Sequence, residues 1–188
     1  MTFQTGALAI CGCIVLGACA TPLPPTLSAA DVTARTASLD QYAAAPDAST
    51  GMPTGKVSYV GTLASNPDDF EKVFGDLTLT ADFDSDKITG NVKNMNYIEG
   101  NKPDQTLRGT LTINGTRTDE LVNATARGTL SGAESGFKAS GDFRLTLDGS
   151  FRSETTEWDS VAGSVNGKST GGLLEVDVTD GVFYAVQK

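Results

Sequence analysis

The stretch FKASGDFRLTLD, Phe137 to Asp148, decides the fold. Phe137, Ala139, Gly141, Phe143, Leu145 and Leu147 alternate with Lys138, Ser140, Asp142, Arg144, Thr146 and Asp148. Successive side chains of a strand point to opposite faces, so this run predicts a strand with one apolar and one wet face. On a helix the same residues would scatter around the axis. The pattern recurs upstream. Val57, Tyr59, Gly61 and Leu63 share one parity, as do Leu77, Leu79, Ala81 and Phe83. So do Ile88, Gly90 and Val92, then Leu107, Gly109, Leu111 and Ile113, then Val122, Ala124, Ala126, Gly128 and Leu130.

Mostly short Gly/Asn/Asp connections join these runs, which predicts an antiparallel meander. No helical pattern occurs among these strands to cover a second sheet face. Closure is then the way to remove exposed edges, and the expected fold is all-β: an antiparallel up-and-down β-barrel of about eight strands. In a barrel of that size the inward side chains fill the interior. Gly90, Gly109 and Gly128 lie on the apolar parity, where they relieve crowding. The strand count stays open at the C-terminal end. Val161–Val165, Leu174–Val178 and Val182–Val186 are three candidates where eight strands need two.

The segment before the barrel differs in kind. Ala7 to Gly17 is an apolar run too short for a bilayer-spanning helix, which needs roughly 20 residues, but suited to a signal-peptide core. Leu16-Gly17-Ala18-Cys19 follows it and resembles the bacterial lipobox, in which the chain is cut before a cysteine that then carries lipid. The expected organisation is a signal peptide over 1–18, a linker over 19–53 and a barrel over 54–188, with lipidation at Cys19. The first residues, MTFQTG, carry no Lys or Arg where a signal peptide normally has a basic stretch, and the alternatives are plain secretion and a buried apolar helix. Five of the seven prolines fall in the linker, which reads as a disordered N-terminal tether. Within it, Ser28 to Tyr42 suits a short helix with Val32, Arg35, Leu39 and Tyr42 along one face.

Composition narrows the function. There is no histidine, and the three cysteines all lie in the first 19 residues, so no disulfide framework or structural zinc is expected for the barrel. A formal charge of −9 and the lack of a basic stripe in the sequence argue against nucleic acid as a partner. Ala162 to Ser169 formally matches a phosphate-binding loop, but no helix pattern follows it, so a polar hairpin turn is expected there. Asp82, Asp84 and Asp86 resemble the start of a calcium loop, yet Lys87 and Lys93 stand where glycine and glutamate belong, so a solvated hairpin turn is expected. Asn114 and Asn123 open formal glycosylation sequons. No nucleophile–base set is present, so no enzyme activity and no cofactor are expected. Trp158, in an expected loop, fits either a plug at the barrel end or an exposed contact residue.

Gly55-Lys-Val-Ser-Tyr-Val-Gly61, then Gly75-Asp-Leu-Thr-Leu-Thr-Ala-Asp-Phe83 and Ile88-Thr-Gly90, resemble the opening of the β-barrel of the transferrin-binding protein B and factor H-binding protein family. Gly149-Ser-Phe151, Val161-Ala-Gly163 and Gly181-Val-Phe-Tyr-Ala-Val-Gln-Lys188 are similar to its closing strands. This resemblance implies a monomeric outer-membrane lipoprotein, attached to the membrane by its N-terminal lipid. It also implies a protein ligand met by loops and barrel exterior, with iron or haem acquisition as the process served. The connections Ala64–Phe74, Met95–Asp104 and Arg152–Trp158 are the expected contact surfaces. Two other readings compete: a periplasm-facing structural or assembly lipoprotein, and a lipocalin-like carrier of small molecules.

Overall fold

Nine strands follow one helix in the computed structural model, which describes residues 21–49, 51–67, 72–99, 102–134, 137–153, 158–172 and 177–188. The helix is α1 (Ala29–Ala43). The strands are β1 (Lys56–Pro67), β2 (Lys72–Asp82), β3 (Lys87–Glu99), β4 (Lys102–Gly109), β5 (Leu111–Thr118), β6 (Leu121–Glu134), β7 (Phe137–Arg152), β8 (Ser160–Thr170) and β9 (Asp177–Gln187).

All pairings are antiparallel, and they close on themselves. The strand β1 pairs with both β2 and β9, while β2 continues to β3 and β9 to β8, β7 and β6. β4 and β5 share one position between β3 and β6, so nine strands make a ring of eight positions. The break between them falls at Gly109, whose φ of +124° lies in the range that favours glycine. A Cβ on Gly90 would sit 2.2 Å from the Thr78 backbone oxygen of β2, and one on Gly128 2.2 Å from that of Thr110 between β4 and β5, so both positions are too close for a side chain.

The predicted inward parity holds along the ring. Tyr59, Leu63, Leu77, Ile88, Val92, Leu111, Ile113, Ala126, Leu145, Leu147, Val165 and Phe183 belong to one buried apolar cluster. Burying a side chain of this kind stabilises the fold by about 1.5–3 kcal/mol. Alternation also breaks at two places. An extra residue at Asn94, with φ of 49°, shifts the register of β3 and flips its parity. Met95 therefore points inward, and Asn96 and Ile98 point outward. Asp180, with φ of 52°, makes the same flip in β9, where Val178 and Phe183 both face the core. That bulge settles the C-terminal count. Val161–Val165 belongs to β8, Val182–Val186 belongs to β9, and Val178 joins β9 on the far side of the bulge, while residues 174–176 of the third candidate lie outside the described residues.

The expected disordered tether needs correction over residues 21–49, which lie on the outside of the ring as a strap. The Thr106 amide donates to the Leu23 carbonyl (3.0 Å), and the Thr106 hydroxyl donates to the Pro24 carbonyl (2.9 Å). Asn96, fully buried, accepts from the Thr26 amide (2.8 Å) and donates to the Thr26 hydroxyl (2.9 Å). Helix α1 then starts on a capping box: the Asp31 amide donates to Ser28 Oγ (3.2 Å), and the Ser28 amide donates to Asp31 Oδ2 (2.8 Å). The prolines do not exclude order here, because all of them lie outside α1 and the sequence between them supplies a full helical face.

That face meets the ring residue by residue. Val32 packs with Ala64, Phe74 and Ile98, with Leu39 beside them. Arg35 donates to the Thr62 hydroxyl (3.3 Å) and pairs with Asp76 (2.7 Å). The ring of Tyr42 stacks on that of Tyr184 at 4.8 Å. Past the helix, Ala48 enters the core and its amide donates to the Phe151 carbonyl (2.9 Å). Arg152 and Ser150 hold Asp47.

Candidate functional site

One end of the ring is closed by aromatic rings. Tyr59, Phe83, Phe151 and Trp158 lie with centroids 5.3–5.7 Å apart, and the Tyr59 hydroxyl donates to the Trp158 carbonyl (3.0 Å). Trp158 is 4 % exposed, which makes it the plug and removes it from the contact surface. Its φ of 64° turns the backbone so that the indole reaches inward. Burial, with the Asp159 charge nearby, pushes the Tyr59 phenol above its ordinary range. Arg117 completes this end. Its guanidinium lies 5.1 Å from the Phe83 ring centroid and is paired with Asp86.

The turn expected at Asp82–Asp86 is present, between β2 and β3. Its carboxylates are committed to protein donors. Asp82 accepts from the Asp84 and Ser85 amides, Asp84 from the Gly55 amide, and Asp86 from Arg117. No group of three or more metal-ligating side chains occurs among the described residues. The Ala162–Ser169 stretch is not a hairpin turn. It is the body of β8, paired throughout with β7, because Val161, Gly163, Val165 and Gly167 keep the inward parity. Its backbone N–H groups therefore serve the sheet rather than a phosphate.

The expected contact loops are shorter than the sequence implied. Ala64 and Ser65 are buried residues within β1, which runs on to Pro67, and Phe74 lies in β2 under α1. Met95 to Glu99 continue β3, and Lys102 to Asp104 already belong to β4. Residues 68–71, 100–101 and 154–157 of these connections lie outside the described residues, as do the signal segment and Cys19.

What remains is the outer wall, and it has two unlike sides. The strap covers it over β9, β1, β2 and β3, reaches β4 at Thr106 and ends against the last residues of β7. A groove of about 160 Å³ runs there beside α1, lined by Thr36, Leu39, Ala64, Lys72, Phe74 and Val182 among others. Over β5 to β8 the outward residues Asn114, Arg127, Arg144, Thr146, Asn166 and Lys168 are exposed. The register places Arg127 opposite Arg144, and Arg144 opposite Lys168. This row has no local signature in the sequence. Each cation sits singly among polar neighbours, and only cross-strand pairing aligns them.

Comparison with known proteins gives no match: no family model, no curated protein and no solved structure matches the chain.

Proposed function

We propose that the chain is a bacterial outer-membrane lipoprotein, anchored through lipid on Cys19, that binds a protein ligand with the exterior of a transferrin-binding protein-like barrel. Iron or haem acquisition is the process such a protein would serve. The observation that carries this reading is the filled interior. Leu77, Val92, Leu111, Ile113, Leu145 and Leu147 occupy the ring, and four aromatic side chains close one end of it. A protein with such an interior meets a ligand on its outside. This disfavours the small-molecule carrier, which needs a cavity lined for its cargo.

Expression of the full chain in a bacterial host with a labelled fatty acid tests the anchor. The label should enter the wild type and not Cys19→Ala, and an unmodified wild-type protein would refute the anchor. Protease treatment of intact cells then separates the two protein-facing readings. Cleavage of the wild type supports a surface binder, whereas complete protection supports the periplasm-facing structural lipoprotein instead. For affinity capture, the soluble form should start at Ala20, because a chain starting at residue 54 would bare Phe74 and Ile98.

A further inference from the structure

We infer that the outer face of β6, β7 and β8 docks on the phosphate-bearing headgroups of a bilayer through Arg127, Arg144 and Lys168. The chain holds six arginines. Three of them, Arg35, Arg117 and Arg152, are ion-paired with Asp76, Asp86 and Asp47. The other three, Arg108, Arg127 and Arg144, are exposed and lie on β4, β6 and β7.

Two of these stand directly opposite each other, and Lys168 extends the row. Neighbouring strands are about 4.8 Å apart, so three cations occupy a line of about 10 Å. Like charges placed directly opposite destabilise a sheet. The carboxylates that flank the row, Asp142 and Asp148, keep their charge and accept from the neutral donors Thr129 and Asn123, without an ion pair to the row. Only Asp177 stands in register beside Lys168. The fold thus lines up three exposed cations that make no ion pair among the described residues, on a part of the wall away from α1, in a chain whose net charge is −9.

The chain's own geometry selects a membrane as the occupant. This choice rests on the reading of Cys19 as the lipid-bearing residue; the charge row does not. From Cys19 to Leu23, where the strap is first fixed to the ring, there are four residues, a reach of about 14 Å at most. That fixed point is Thr106 on β4, two residues from Arg108 and one ring position from β6. A lipid on Cys19 would hold this flank of the ring against the headgroups. An acidic chain is repelled by an anionic surface everywhere except where its cations are gathered.

The test uses the chain from Ala20 to Lys188, which keeps every described element and carries no lipid. Co-sedimentation is measured with vesicles of phosphatidylcholine alone and with added phosphatidylglycerol. Binding is expected only to the anionic vesicles, falling as salt rises. The triple variant R127Q/R144Q/K168Q should lose it by on the order of a hundredfold, at about fivefold per cation. Its melting temperature should equal or exceed that of the parent, since like charges are relieved. A control with the same charge change at the plugged end, K56Q/K87Q/K188Q, should bind within a few-fold of the parent. Four outcomes would overturn the inference. They are equal binding to neutral vesicles, an unaffected triple variant, release by inorganic phosphate at constant ionic strength, and preference for an acidic polypeptide over the vesicles. The mass of the lipid-processed wild type reports separately on Cys19, so a failed anchor and a failed charge row remain distinguishable.

Discussion

The two sides of the outer wall obey different chemistry. On the strap side, outward positions of β1, β2 and β3 hold Ala64, Phe74, Asn96 and Ile98, all buried by residues 21–49. On the other side, outward positions of β6, β7 and β8 hold Arg127, Arg144 and Lys168, all exposed. A barrel-like ring needs only its inner parity to fold, so its outer parity is free to take other tasks. Here one side completes the fold and the other is left to meet something else. Bulges make the division possible. Without the flip at Asn94, Asn96 would face an apolar interior, and the strap would lose the side chain that holds Thr26.

The sharpest way to break this comparison is to remove the strap. A chain starting at Thr54 loses the burial of Val32, Phe74 and Ile98, so its stability should fall by on the order of 5 kcal/mol, at about 1.5–3 kcal/mol each with some area already lost in the unfolded chain. Denaturant unfolding checks this. An unchanged midpoint would return the segment to the role of a tether. Next comes Asn96→Leu, which leaves the Thr26 amide and hydroxyl without their partner and should cost about 1–3 kcal/mol. Opening of the strap should then appear as faster proteolysis within residues 21–49. Ser28→Ala removes one half of the capping box and should cost about 1 kcal/mol.

The Asp31 carboxyl supplies a pH-dependent version of the same test. Hydrogen bonds from the Ser28 hydroxyl and amide hold it below its ordinary value of 3.8. A carboxyl lowered in the folded state contributes stability that is complete above that ordinary value and is lost as pH falls through the folded one. Strap proteolysis should therefore rise as pH drops below 3.8, and Asp31→Asn should remove that step. On the bare side the expected effect is the smallest and of opposite sign. Arg144→Thr relieves two like-charge contacts and should stabilise the ring by about 0.2–1 kcal/mol, read as a higher denaturant midpoint.

Much of this fold was legible in the sequence. Period-two alternation marked the strands and their inward faces, and the helical face of Val32, Arg35, Leu39 and Tyr42 was visible although its landing site was not. Composition misled at the prolines, because five of them in a short segment look like a spacer even when a helix between them is well capped. Alternation also failed at the bulges. Past Asn94 and Asp180 the apolar parity switches, so Met95 to Glu99 read as a connection and the two sides of the β9 bulge read as separate strand candidates. The basic row had no local signature. Arg127, Arg144 and Lys168 lie on three different strands, and only the register of β6, β7 and β8 brings them into line. Trp158 stayed ambiguous in sequence because a left-handed backbone angle, invisible there, decides whether it turns inward.

Arginine-directed chemical labelling of the chain from Ala20, read residue by residue by mass spectrometry, tests the division of the wall most directly. Its six arginines are split evenly between paired and unpaired sites. Arg108, Arg127 and Arg144 should label quickly, while Arg35, Arg117 and Arg152 should be slow. Equal rates at all six would contradict the account.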